Sequence, residues 1–176
     1  MGVRNYLIEG PSGSGKTTVA EALERLGHHV VHGDRQFAYY GAPATGEPLD
    51  APAFADGMDA VVWGYRHWIW PVERVRAIIA DQGEAMTFFC GRSRNRDQFI
   101  GLFDAIFYLE VDPLTLDRRL STRPPDVFGG KPIERELAMR LNASREDVPA
   151  HAVSIDATAP IDRVVDRILS ECGARG

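Results

Sequence analysis

The sequence predicts an α/β fold, a parallel sheet covered by helices on both faces. Three observations predict it. A complete phosphate-loop pattern, Gly10-Pro11-Ser12-Gly13-Ser14-Gly15-Lys16-Thr17, stands between a short apolar segment and a helical one. Short apolar runs alternate with amphipathic stretches along the whole chain, the pattern of strands buried on both faces. A length of 176 residues with 44% hydrophobic content suits one domain, 1–176, with a well-buried core.

Element by element, Asn5 to Glu9 reads as a buried strand, and Thr17 to Leu26 as a helix with Val19, Ala22, Leu23 and Leu26 on one side, closed by Gly27. The glycines between them turn backbone N–H groups inward, and the helix opening adds partial positive charge, so the loop suits a polyphosphate. Gly13, Ser14, Gly15, Lys16, Thr17 and Thr18 are the expected nucleotide contacts, with Lys16 on the β- and γ-phosphates and the Thr17 hydroxyl on Mg²⁺. His28 to His32 reads as a second strand ending at Gly33-Asp34-Arg35; its three histidines have no carboxylate or cysteine beside them to complete a metal set and read as strand-edge residues.

Gln36 to Asp59 is broken by Gly41, Pro43, Gly46 and Pro48 and predicts a long loop carrying Phe37, Tyr39 and Tyr40. Met58 to Trp70 predicts a helix with Val61, Val62, Tyr65, Trp68 and Ile69 as its apolar stripe, which assigns Trp68 to packing. Pro71 starts another helix, stopped at Asp81-Gln82-Gly83. Ala85 to Cys90 is the third strand, followed by Gly91-Arg92-Ser93-Arg94-Asn95-Arg96; Asp104 to Val111 is the fourth, followed by a helix capped by Asp112 and Pro113. A Gly/Pro loop from Pro124 to Gly130, a helix from Pro132 to about Glu146, a fifth strand at Val153 to Ile155 and a helix from Pro160 to Cys172 complete the chain.

In a parallel sheet of this kind ligands bind outside the carboxyl ends of the strands. The five strand ends would bring together the phosphate loop, Asp34-Arg35, Arg92 to Arg96, Asp112 and Asp156-Ala157-Thr158. Phosphoryl transfer needs positioning and cations over the moving group, and Arg119, Arg123 and Arg140 could form a basic flap above it; an arginine in that role is worth on the order of 10³ to 10⁵ in rate. Asp34 is the candidate general base toward an acceptor hydroxyl, or a holder of Mg²⁺ through water; its alternative is a turn cap. Arg35, Arg92, Arg94 and Arg96 could grip an anionic acceptor, and Tyr39 and Tyr40 could stack on a flat one.

Laid out in this way, the chain resembles the small P-loop kinases, the group of nucleoside monophosphate, shikimate and gluconate kinases, over nearly its whole length. Arg119-Leu120-Ser121-Thr122-Arg123 looks like the start of their lid, Arg140-Leu141 like the arginine returning from its far side, and Gly91 to Gln98 like the stretch that grips the acceptor. Ile155 to Pro160 is similar to the adenine-side loop, which implies Asp156, Thr158, Ala159 and Pro160 at the nucleotide. Gly33-Asp34 resembles the acidic strand-end motif of the metabolite kinases. The resemblance implies a P-loop NTPase three-layer sandwich with a five-stranded parallel sheet in the order 2-3-1-4-5, a short helical lid at about 119–145, ATP as donor and Mg²⁺ as cofactor. Two departures stand out: Cys90-Gly91 replaces the Asp-Gly that nucleoside monophosphate kinases carry after the third strand, and the Pro124 to Lys131 loop is short and has no cysteine cluster.

A formal charge of −5 argues against a surface for long nucleic acid, and no stretch reaches the roughly 18 apolar residues of a membrane span. Met1 to Asn5 opens no signal-peptide run, and two cysteines without metal spacing fit free thiols in a reducing cytoplasm. The partner expected is a small acceptor: a nucleoside or nucleotide, or alternatively a polar metabolite of the shikimate or gluconate kind. A nucleotide-binding switch is the reading from another class; against it, no N-K-x-D motif occurs, and the D-x-x-G at Asp126 to Gly129 lies late in the chain.

Overall fold

In the computed structural model the described residues are 3–53 and 57–174. The part of the expected Gln36 to Asp59 loop at 54–56 and the first two residues of the chain lie outside them. The strands are β1 (Arg4–Glu9), β2 (His29–His32), β3 (Tyr39–Tyr40), β4 (Trp68–Ile69), β5 (Met86–Cys90), β6 (Ala105–Glu110) and β7 (Val153–Asp156). The helices are α1 (Lys16–Arg25), α2 (Gly33–Gln36), α3 (Gly57–His67), α4 (Val72–Ala80), α5 (Pro113–Ser121), α6 (Pro132–Ser144) and α7 (Ile161–Gly173).

Five strands pair in parallel in the order β2-β5-β1-β6-β7. Their numbering differs from the expected one because β3 and β4 intervene in the chain; counted among themselves, the five run 2-3-1-4-5. One face of the sheet, with Tyr6, Ile8, Phe88, Phe107 and Leu109, packs on Val19 and Leu23 of α1 and on Val164, Val165 and Ile168 of α7. Leu7, Val31 and Phe89 on the other face pack against Trp70, Val75 of α4 and Phe99. Alternate residues of each central strand are thus buried on opposite sides, which is why these strands read as unbroken apolar runs.

The main correction lies between β2 and β5. The helix expected through Trp70 ends at His67, and Trp68–Ile69 pair antiparallel with Tyr39–Tyr40 as a separate two-stranded ribbon. Pro71 disfavours helical backbone at the residue before it, and the ladder to β3 gives the freed peptide groups partners. The ribbon takes Trp68 and Trp70 off the helix and sets them beside the end of β2.

The helix starts follow local chemistry. Asp112 caps α5 through Oδ1, which accepts from the Thr115 N–H at 2.9 Å, with Pro113 at the first position. Leu116 and Leu120 of α5 join Val111 and Ala138 of α6 in a separate apolar cluster, so the two helices form one packed unit above the sheet. The histidines of β2 and its approach take ordinary partners: His29 meets Thr87 Oγ1 at 3.0 Å, His32 meets Glu24 Oε1 at 3.0 Å, and His28 stands edge-on to Phe88. Among the described residues no helix is long and apolar enough to cross a membrane.

Candidate active site

The phosphate loop leaves β1 at Gly10 and enters α1 at Lys16. Gly13 and Gly15 have φ of 94° and 99°, in the left-handed region that favours glycine. Gly13 also has no room for a side chain, because a Cβ there would lie 2.7 Å from Leu116 Cδ1, so α5 packs directly on the loop. Lys16 folds back over the loop, donating from Nζ to the carbonyls of Gly10 at 2.7 Å and Pro11 at 3.0 Å. Burial pulls its ammonium down to about 8, with the Asp34 and Glu9 carboxylates pulling the other way.

Above the loop lies a cavity of about 520 Å³, within the range of small-ligand sites. Loop residues 12–18 form its floor, Arg119 and Arg123 one wall, and Ala157, Ala159, Ile161 and Val164 an apolar end. Arg119 spans it, donating to Gly13 O at 3.4 Å and Ser14 O at 3.2 Å with Nη1 and to Ala157 O at 2.8 Å with Nη2. Arg123 Nη1 donates to Ser12 Oγ at 2.9 Å and Phe128 O at 2.6 Å. The two arginines therefore tie α5 and the following segment to the loop from above. Thr17 and Thr18 are exposed to this cavity, as is Arg35.

A second cavity of about 470 Å³ adjoins the first, and the two share Ser12, Lys16 and Asp34. Its walls are Tyr40, Tyr65, Trp68 and Phe128, with Ala60, Val61 and Gly64 of α3, and Arg92, Lys131 and Glu134 at its rim. Asp34, on the short helix after β2, is held by three donors on one oxygen: Oδ1 accepts from Trp68 Nε1 at 3.1 Å, Trp70 Nε1 at 3.2 Å and the Arg92 N–H at 3.1 Å. No donor among the described residues meets Oδ2. The close fit around Trp70 requires glycine on both sides: a Cβ on Gly33 would lie 2.3 Å from Trp70 Cζ2, and one on Gly91 would lie 2.6 Å from it.

The arginines after β5 are each paired with a buried acid. Arg92 Nη1 donates to Asp147 Oδ2 at 3.1 Å, Arg94 donates to Asp147 Oδ1, and both guanidinium groups lie over the Tyr65 ring, at 4.4 and 4.6 Å from its centroid. Tyr65 completes the cluster with its hydroxyl on Asp147 Oδ2 at 2.5 Å. Burial pushes the Asp147 carboxyl up, but Arg92, the Tyr65 hydroxyl and Arg94 outweigh it and hold the group below the usual carboxylate range. Arg96 Nη1 donates at 2.8 Å to Oε2 of Glu9, the buried last residue of β1. Burial raises the Glu9 carboxyl to about 7 even though Arg96, Arg92 and Lys16 oppose it.

No protein-family model and no curated protein matches the chain. Solved structures do. A gluconokinase from Sinorhizobium meliloti superposes over 97% of this chain and 92% of its own, with a TM-score of 0.55 at 20% identity. A shikimate kinase from Acinetobacter baumannii in complex with shikimate covers 98% and 94%, with a TM-score of 0.60 at 19% identity. A deoxyadenosine kinase from M. mycoides with bound dATP covers 97% and 99%, with a TM-score of 0.56 at 15% identity. The chain has the fold of the small P-loop kinases.

Within that P-loop kinase fold, the residues named from the sequence separate into two groups. Gly13, Ser14, Gly15, Lys16, Thr17, Thr18, Arg119, Arg123 and Ala159 line the first cavity, Asp34 lies at the junction, and Tyr40 and Arg92 reach the second. Others are not brought there. Tyr39 turns away to donate to Gly46 O at 2.6 Å; Arg94 is spent on Asp147 and Tyr65; Arg140 lies exposed on α6 and lines neither cavity. Asp156 and Thr158 close on each other, the Thr158 N–H donating to Asp156 Oδ1 at 2.9 Å, and face a third cavity beyond β6 and β7; Pro160 serves as the N-cap of α7. The strand β7 ends at Asp156, and the turn that follows brings Ala157 and Ala159 to the first cavity while Asp156 and Thr158 close on each other.

Sequence reasoning missed Glu9, Tyr65, Trp68 and Asp147. Glu9 had a signal, a charged residue closing an apolar strand. Trp68 and Tyr65 were assigned to a packing stripe, and Asp147, in Glu146-Asp147-Val148, had no distinguishing neighbour.

Proposed function

We propose that this protein is an ATP-dependent small-molecule kinase whose acceptor is a nucleoside. The observation that carries the reading is the pair of adjoining cavities that meet at Lys16 and Asp34, one floored by the phosphate loop, the other walled by aromatic rings. A polyphosphate fits the first: the loop supplies inward amides at the left-handed glycines, Arg119 and Arg123 supply charge, and the apolar end at Ala157, Ala159, Ile161 and Val164 suits a base. The Thr17 hydroxyl would hold Mg²⁺, which would supply positive charge to the phosphate oxygens; with its Oδ1 filled by three donors, Asp34 is read here as the base and not as a holder of the ion.

The aromatic walls of the second cavity suit a flat ring. The arginines after β5 are already paired with Asp147 and Glu9, so a small sugar acid or shikimate-like carboxylate would have to compete with these buried acids for a guanidinium. That difference favours a nucleoside over the metabolite alternative.

In this reading Asp34 Oδ2 takes the proton of the acceptor hydroxyl as the hydroxyl oxygen bonds to the terminal phosphorus and the bridging P–O bond to the diphosphate breaks. Lys16, Arg119 and Arg123 balance the charge on the transferring group, and Tyr40, Trp68 and Phe128 exclude water from the acceptor side. The lid at 119–145 would consist of the end of α5, the segment after it and α6.

The test is a thermal-shift and turnover panel with MgATP and ribo- and deoxyribonucleosides, gluconate and shikimate. Stabilisation and ADP release with at least one nucleoside, abolished in Lys16→Ala, is the expected result. Turnover with a sugar acid alone would transfer the protein to the metabolite kinases, and slow hydrolysis indifferent to every acceptor would mark it as a switch.

A further inference from the structure

Trp68 occupies two places at once. Its ring lines the aromatic cavity, and its indole N–H lies 3.1 Å from Asp34 Oδ1, the carboxylate oxygen that also takes the Trp70 indole and the Arg92 amide. Three donors converging on one oxygen fix the plane of the carboxylate and leave Oδ2 as the atom available where the two cavities join. Of the three donors, the Trp70 indole belongs to a fully buried ring wedged between Gly33 and Gly91, and the Arg92 amide is main chain. Among the described residues, Trp68 is the side-chain donor to that carboxylate whose ring also walls the cavity where an acceptor would lie; Arg92 lies at the cavity rim but donates to Asp34 from its main chain.

We infer that Trp68 is a positioning residue: its N–H, with the Trp70 indole and the Arg92 amide, holds Asp34 in the orientation that presents Oδ2, while its ring walls the acceptor cavity, so one side chain contributes both to the location of the acceptor and to the aim of the base. The inference rests on Asp34 serving as the base. A rigid side chain suits this task, because an indole has two rotatable bonds and this one is packed edge-on against Tyr40, with centroids 5.2 Å apart. A misplacement of about 1 Å at a reacting group can cost on the order of 10² in rate, so removal of the N–H alone has a kinetic consequence distinct from removal of the ring.

Trp68→Phe separates the two roles, since it keeps an aromatic wall and deletes the donor. With MgATP and adenosine, 2′-deoxyadenosine, cytidine and thymidine as probes, Trp68→Phe is expected to leave KM for the accepted nucleoside within about twofold and to lower kcat by about tenfold or more. Trp68→Leu is expected to raise KM as well. A kcat of Trp68→Phe within about twofold of the unaltered protein overturns the inference.

A second readout needs no acceptor. In protein carrying ¹⁵N-labelled tryptophan, Asp34→Ala is expected to move the indole N–H resonances of Trp68 and Trp70 and leave that of Trp63 in place. An unmoved Trp68 resonance overturns the inference even if Trp68→Phe does not fold. If none of the four nucleosides is turned over, the nucleoside reading fails, and the resonances alone decide whether Trp68 holds Asp34.

Discussion

The Tyr65 hydroxyl lies 2.5 Å from Asp147 Oδ2, which joins α3 to the segment after α6 through a buried acid that also holds Arg92 and Arg94. Asp147 is 4% exposed, so its charge depends on these partners and they depend on it. Asp147→Ala leaves two guanidinium groups without their counter-charge and is expected to cost about 3–5 kcal/mol, as expected for breaking a buried pair from one side. A thermal midpoint lowered by roughly 10 °C would register it. Asp147→Asn keeps the shape and is expected to lose less.

Burial pulls the Lys16 ammonium down to about 8, so without bound phosphate its positive charge is expected to fall away as pH rises through that value. Because the neutral amine gives the phosphates no charge to bind, KM for ATP is expected to rise as pH is taken from 7 through 8 to 9. A KM for ATP that stays flat across that range would contradict the role given to Lys16.

Burial raises the Glu9 carboxyl to about 7, against the pull of Arg96, Arg92 and Lys16. A carboxyl whose folded pKa is raised adds stability that is complete below its unfolded value near 4.5 and is lost as pH climbs toward about 7. Thermal midpoints between pH 4.5 and 7.5 are therefore expected to fall more steeply with pH in the unaltered protein than in Glu9→Gln, whose side chain does not titrate. The opposite ordering of the two slopes would show that Glu9 is ionised throughout.

Gly33→Ala would set a methyl group 2.3 Å from Trp70 Cζ2 and 2.6 Å from Cε2. Overpacking of this kind costs about 1–3 kcal/mol. Adding Trp70→Phe is expected to relieve part of it, so the double variant should be more stable than the sum of the two single losses predicts. Denaturant midpoints of the four proteins measure the coupling directly.

The phosphate loop, the five parallel strands and most helices were legible because each has a local signal: glycine spacing, unbroken apolar runs, capping residues such as Asp112. The ribbon of β3 and β4 was not. Tyr39–Tyr40 is two residues long, and Trp68 and Ile69 continue the spacing of Val61, Val62 and Tyr65, so a helix through Trp70 satisfied every local rule until pairing with β3 and the constraint of Pro71 overrode it. The candidate site shows the same division. Lys16 and Asp34 follow from strand ends, whereas the pairing of Arg92, Arg94 and Arg96 with Asp147 and Glu9 joins residues distant in the chain, and alternating arginines alone do not reveal whether they already have partners.

Gly33, Trp70 and Gly91 form a single steric unit, two missing side chains and the ring that takes their space. None of the three can drift by itself: a methyl at either glycine has nowhere to go, and a smaller residue at 70 leaves a void and strips Asp34 of an indole donor. Lineages that keep this packing beneath Asp34 should therefore tend to change all three together. The trio is thus a marker for tracing the setting of Asp34 through sequences too divergent for the phosphate loop to tell apart.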